Sequence, residues 1–82
     1  MKVRLLLFAA LRDIAGAPEI AVEVAEGTRV IDVWNGFRAS HPPLSAYVTP
    51  PLAAINEEYV DPSAELRDGD ELAFVPPVSG GH

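Results

Sequence analysis

The chain has 82 residues, 49% of them hydrophobic, and its 12 acidic residues against 6 basic ones give a formal net charge of −6. This length makes one small domain with enough apolar material for a core. The acidic balance argues against a nucleic-acid binder, which needs a basic surface, and the lack of cysteine excludes disulfides and thiol chemistry. The apolar start of the chain is interrupted by Arg4 and closed by Arg12, so it predicts neither a signal peptide nor a membrane span. We therefore expect a soluble, cytoplasmic protein that binds neither nucleic acid nor membrane.

The first half of the chain predicts two strands and a helix. Residues 3–9 form an apolar run typical of a strand, and residues 19–24 alternate between apolar and polar or small side chains. These two strands are predicted to form a hairpin with a long, loose connection. Thr28 is the predicted N-cap of a helix over about 29–40, which ends before the prolines at 42 and 43. The helix carries an apolar stripe that we expect in the core: Val30, Val33, Trp34 and Phe37.

The second half predicts a loop followed by three short strands. Residues 41–51 contain four prolines and predict the loop. Residues 52–56 and 59–60 predict a tight hairpin, and residues 71–75 predict a last strand that ends at the next two prolines. The order favours an α+β domain of the β-grasp (ubiquitin-like) type, a mixed sheet of four to five strands with one main helix packed on one face. Its first and last strands are predicted to lie parallel in the centre, with residues 1–77 as the domain and 78–82 as a flexible tail.

Alternation along the central strands predicts which residues lie on the face that the helix leaves open. Arg4 marks that face in the first strand, which places Leu6 and Phe8 there, and Glu71 marks it in the last strand, which places Val75 there. An apolar patch on open sheet beside the tail favours a partner interface. The alternative is that the loop over 41–51 folds across it.

The side chains make a poor case for catalysis. The sequence has no glycine-rich phosphate loop, no nucleophile motif and no clustered metal ligands, so we expect no bound metal or cofactor. The tail residues Ser79, Gly80 and Gly81 stand out instead, because a Gly-Gly backbone can pass through a channel too narrow for side chains.

Three segments of the sequence resemble the MoaD/ThiS family of ubiquitin-like sulfur carriers, which includes the small subunit of molybdopterin synthase. They are residues 8–13 together with Gly16, residues 52–56 and residues 66–81; the most specific part is the run from Asp68 to Gly81, which ends in Pro-Pro-Val-Ser-Gly-Gly. The resemblance implies a carrier whose reagent is the carboxylate of Gly81. A partner enzyme adenylates that carboxylate with Mg-ATP, sulfur displaces AMP, and the resulting thiocarboxylate supplies the molybdopterin dithiolene inside the large synthase subunit. The resemblance also implies, by position, that the hydrophobic contact surface of the family would fall on Phe8, Tyr59 and Val75.

The sequence departs from the family at its last residue, because His82 follows Gly81. With that peptide bond intact Gly81 has no free carboxylate, so His82 is either a tag remnant or a residue that must be cleaved first. Three other functions stay open: a sulfur carrier for thiazole, cysteine or tRNA thiolation, a ubiquitin-like protein modifier, and a β-grasp domain without chemistry.

Overall fold

A computed structural model describes residues 1–47 and 49–76, which form one five-stranded sheet, two α-helices and a 3₁₀ helix. The elements in chain order are β1 (Lys2–Leu7), α1 (Ala9–Ala15), β2 (Glu19–Glu23), α2 (Val30–Ser40), a 3₁₀ helix (Pro42–Ala46), β3 (Leu52–Ile55), β4 (Glu58–Val60) and β5 (Glu71–Val75).

The sheet has the strand order β2-β1-β5-β3-β4. Strands β1 and β5 pair in parallel near the centre, with Leu6 beside Ala73, and every other pair is antiparallel. A parallel pair needs a crossover, and α2 lies in the chain between these two strands. The predicted mixed sheet with parallel first and last strands and the main helix is therefore confirmed.

Helix α2 supplies the centre of the core, as the apolar stripe predicted. Val30 and Trp34 are 2% exposed, Phe37 is 7% exposed and Val33 is 8% exposed. The helix begins after Arg29, whose backbone N–H donates a hydrogen bond of 2.9 Å to the Asp32 carboxylate. The predicted N-cap at Thr28 is wrong, because the Thr28 hydroxyl donates to the Ala25 carbonyl in the preceding turn.

The connection between β1 and β2 is a helix rather than a loose loop. Strand β1 ends at Leu7, not at residue 9, and α1 follows with Leu11 fully buried against the core. Its alanines and Leu11 favour helix, and Gly16 at φ +78° ends it by donating its N–H to the Arg12 carbonyl. The apolar run at the start of the chain thus serves two elements in succession.

The proline-rich segment after α2 packs on the helix side of the molecule. It contains the 3₁₀ helix instead of being a plain loop, and Leu44 within it is fully buried. Arg38 of α2 donates hydrogen bonds to the carbonyls of Leu44 and Ser45, and the Tyr47 ring lies 6.0 Å from that of Trp34. The described part of this segment therefore leaves the opposite face of the sheet uncovered.

Two glycines allow a paired test of these backbone conformations. Gly36 lies in α2 with nothing within 4 Å of a Cβ added there, so Gly36→Ala should stabilise the fold by about 1 kcal/mol. Gly16→Ala should destabilise it by about 1 kcal/mol, because alanine resists a positive φ. Urea unfolding of both variants measures the two effects, and shifts of the same sign would contradict the assigned conformations.

Candidate partner-binding face

The open face of the sheet carries a continuous set of apolar side chains at one end. The strand registers align Tyr59, Ala54, Ala73 and Leu6 in one row across β4, β3, β5 and β1. A neighbouring row pairs Leu52 of β3 with Val75 of β5, and Phe8 follows at the end of β1. We refer to these residues as the apolar patch: Leu6, Phe8, Leu52, Ala54, Tyr59, Ala73 and Val75.

The largest members of the apolar patch are well exposed to solvent. Phe8 is 47% exposed, Leu52 60% and Tyr59 71%, whereas Val75 is partly buried. Phe8, Leu52 and Tyr59 are the exposed large hydrophobic side chains of the described part of the chain, and all three lie at one end of one face. A clustered apolar surface of this kind is typical of a site that binds another protein.

The structure places the three contact residues expected from the sequence, Phe8, Tyr59 and Val75, on this one face. Sequence reasoning missed Leu52, although a signal for it was present. In the antiparallel pairing of β3 with β5, Leu52 lies directly opposite Val75 and so faces the same way. Alternation along β3 relative to the predicted hairpin would have found it.

The other half of the open face is polar and bonded internally. Arg4 forms ion pairs with Glu71 of β5 and, at 3.7 Å, with Glu19 of β2. The Asn56 side chain accepts a hydrogen bond from the Glu71 N–H and donates one to Asp70, both of 3.0 Å. These contacts set a sharp boundary between the charged half and the apolar patch.

One carboxyl group in the described part of the chain, that of Asp61, has a displaced pKa. The Ser63 hydroxyl and then the Ser63 backbone N–H donate to the Asp61 carboxylate, which lowers the pKa of Asp61 below its usual value. The pair forms the turn that follows β4. We assign it a local structural role.

Strand β5 is the last element of the described part of the chain. The strand ends at Val75, within the apolar patch. The candidate tail residues Ser79, Gly80 and Gly81, with His82, lie outside the described residues. Within the described ranges no group of three acidic or histidine side chains could hold a metal ion, and no helix has the length and apolar character to cross a membrane.

Comparison with known proteins gives consistent matches over nearly the whole chain. A family model described as the ThiS family matches residues 5–81. The molybdopterin synthase sulfur carrier subunit of Chlamydomonas reinhardtii is 39% identical over 83 residues, covering 99% of this chain and 100% of that protein.

Two solved structures extend the comparison to three dimensions. The small archaeal modifier protein 1 of Methanosarcina acetivorans superposes with a TM-score of 0.80 at 30% identity, covering 98% of this chain and 96% of that one. A chain in the BexX/CysO complex of Amycolatopsis orientalis superposes with a TM-score of 0.68 at 28% identity, covering 96% and 99% respectively. The β-grasp architecture expected from the sequence is shared with these proteins.

Proposed function

The chain belongs to the ThiS family, and from that premise we propose that it is a sulfur carrier that serves as the small subunit of molybdopterin synthase. The name of the full-length Chlamydomonas relative supports this assignment. The structural observation that carries it is the exposed apolar patch at the end of β5, the strand that precedes the segment containing Gly80 and Gly81 in the sequence. A partner that grips the tail can press on this patch at the same time.

The chemistry of the carrier resides in its backbone terminus. In the chain that ends at Gly81, with His82 absent or removed, a carboxylate oxygen of Gly81 attacks the α-phosphate of ATP in an activating enzyme, and pyrophosphate leaves. Hydrosulfide then attacks the carbonyl carbon of the acyl adenylate, AMP is the leaving group, and Gly81 is left as a thiocarboxylate. Mg-ATP belongs to the activating enzyme, and this chain supplies the carboxyl group, two residues without Cβ atoms and a surface that positions them.

The partner that consumes the sulfur is, in this proposal, the large subunit of molybdopterin synthase. The Chlamydomonas relative is named as a subunit of a synthase, which supports an assembly with a second protein. Docking on Phe8, Leu52, Tyr59 and Val75 buries apolar surface and fixes where the tail enters. The large subunit then receives the thiocarboxylate sulfur for the dithiolene.

Binding to the large subunit tests this assignment through the apolar patch. Leu52→Asp and Val75→Asp should each weaken binding by about 2 kcal/mol or more, because each places a charge where an apolar anchor is buried. Ala21→Asp is the matched control, since Ala21 is exposed on the same face of the sheet but on β2, away from the patch. Isothermal titration of the folded variants measures the affinities. Equal binding by all three would place the contact elsewhere.

A second candidate function is protein modification. The similarity to a small archaeal modifier protein at 30% identity supports this candidate. An activated Gly81 acyl group can acylate a lysine amine as well as react with a sulfur nucleophile. The two functions differ in their product: a carrier loses sulfur to a small molecule, whereas a modifier forms an isopeptide bond. Transfer of the chain to lysine with no sulfur transfer to the molybdopterin precursor would favour the modifier. The other sulfur pathways are distinguished by which partner accepts the thiocarboxylate.

A further inference from the structure

An apolar groove lies on the face of the sheet opposite the apolar patch. It runs between β2 and α2, encloses about 480 Å³ and is open to solvent along one side. Its apolar walls are Leu5, Ile20, Val22, Val24, Val33 and Phe37. The three β2-side residues are only partly buried, so α2 does not extend far enough to cover them.

Strand β2 borders this groove and is an edge strand of the sheet in the described part of the chain. The Met1 N-terminal amine donates a hydrogen bond of 2.8 Å to the Val24 carbonyl, and the Val24 N–H donates one of 2.9 Å to the Met1 carbonyl. At the other end of the strand, the Leu7 N–H donates to the Pro18 carbonyl. In an antiparallel ladder every second residue forms hydrogen bonds with the neighbouring strand. Because residues 18 and 24 bond to β1, Ile20 and Val22 between them also direct their N–H and C=O groups toward β1. The backbone groups of Glu19, Ala21 and Glu23 therefore point outward, toward a site where another strand could pair.

The charges around β2 select the kind of strand that fits. Glu19 and Glu23 alternate with the groove residues along β2 and are exposed. On the β1 side, Glu19 pairs with Arg4 and Glu23 with the N-terminal amine, each at 3.7 Å, and Lys2 lies opposite Glu23 in the register. The two glutamate side chains remain 48% and 71% exposed, so basic groups can still approach them from the outer side. Among the described residues, the groove lining contains the carboxylate of Asp32 and no lysine or arginine.

A second copy of this chain is a poor occupant of the same edge. Two β2 strands paired antiparallel about Ala21 would bring Glu19 of one copy opposite Glu23 of the other, and like charges opposite each other destabilise a sheet. Each copy also carries a net charge of −6. A strand from a different protein with basic side chains avoids both costs.

We propose that β2 and the groove beside it form a second docking site, which binds an extended segment of alternating apolar and basic residues by adding it to the sheet. Its apolar side chains enter the groove against Val22 and Phe37, and its lysines or arginines lie on the opposite face near Glu23. The site lies on a different strand and a different face from the apolar patch. A protein can therefore hold the carrier here while Gly81 is engaged elsewhere.

A capped heptapeptide of alternating lysine and valine, beginning and ending with lysine, tests the site on the full ¹⁵N-labelled chain. We expect the amides of Glu19, Ala21 and Glu23 to shift on titration and their hydrogen exchange to slow, while Leu52 and Val75 are unaffected. A peptide with serine in place of valine keeps the charge and controls for non-specific attraction; it should bind at least about tenfold more weakly, because it buries no apolar side chains.

Two variants separate the backbone and charge contributions. Ala21→Pro removes one outward N–H and leaves the ladder to β1 intact, so it should weaken peptide binding about tenfold. Glu23→Lys, which does not alter the backbone, should weaken it through charge repulsion and keeps the test valid if the proline variant does not fold. Absence of binding at millimolar peptide, or shifts centred on Leu52, would overturn the site. If hydrogen exchange at the amides of Glu19, Ala21 and Glu23 slows as protein concentration rises, with no peptide present, the edge binds a second copy of the chain. That result would also overturn the proposed site.

Discussion

Trp34→Ala is expected to leave the domain largely unfolded. The Trp34 side chain is 2% exposed and lies where α2, the 3₁₀ segment and β5 meet, with its ring 5.3 Å from that of Phe74 and 6.0 Å from that of Tyr47. Truncation of a buried aromatic residue removes apolar contacts on every side and costs about 3–5 kcal/mol. A small domain has a total stability of about 5–15 kcal/mol and tends toward the low end, so little stability is left.

Thermal unfolding followed by circular dichroism measures this effect. Trp34→Phe is the matched control, because it keeps an aromatic ring in the site and should lose less stability. A cooperative transition of Trp34→Ala near the wild-type temperature would show that the side chain is not central to the core.

The chain that ends at Gly81 is expected to support ATP–pyrophosphate exchange with its activating enzyme, whereas the chain that carries His82 is not. Adenylation requires a carboxylate oxygen as nucleophile, and in the longer chain the Gly81 carbonyl is part of a peptide bond. The His82 carboxylate is one residue too far along, and an imidazole does not fit a channel shaped for Gly-Gly. The difference is therefore close to all or none.

Gly81→Ala in the shorter chain controls for the channel alone. Its carboxylate is present, so it should react, but slowly, because the added methyl group obstructs the backbone. Equal exchange rates for the chains ending at Gly81 and His82 would mean that Gly81 is not the activated residue, provided that mass spectrometry finds His82 still attached.

The sheet and its faces were predictable from the sequence because each central strand carries its own marker of the open side. Arg4 in β1 and Glu71 in β5 cannot lie against a helix, and the parallel register then places them side by side, where they form an ion pair. The alternation that follows from them placed Phe8 and Val75 correctly on the open face. The core stripe of α2 was predictable for the same reason, since a single helix must bury its apolar side.

The errors arose where a local signal had two structural uses. The apolar run at the start of the chain supplies buried residues to β1, which ends at Leu7, and to α1, which buries Leu11. Apolar character alone does not show where the two-residue period of a strand gives way to the 3.6-residue period of a helix. Thr28 is a favoured N-cap residue, but its hydroxyl is taken by the Ala25 carbonyl in a turn. Alternation along β3 groups Leu52 with Ala54 on one face, but which face that is was settled by the register of β3 against β5, a contact distant in sequence.

The central claim, that Gly81 carries sulfur, is tested most directly by the intact mass of the chain ending at Gly81. The chain is incubated with the activating enzyme, Mg-ATP and a sulfide source, and then with the large synthase subunit and the molybdopterin precursor. We predict a mass increase equal to one sulfur-for-oxygen exchange, mapped to Gly81, that disappears in the second step as the dithiolene forms. An unchanged mass after the first step, or sulfur that stays on the chain in the presence of the large subunit and precursor, would contradict the assignment.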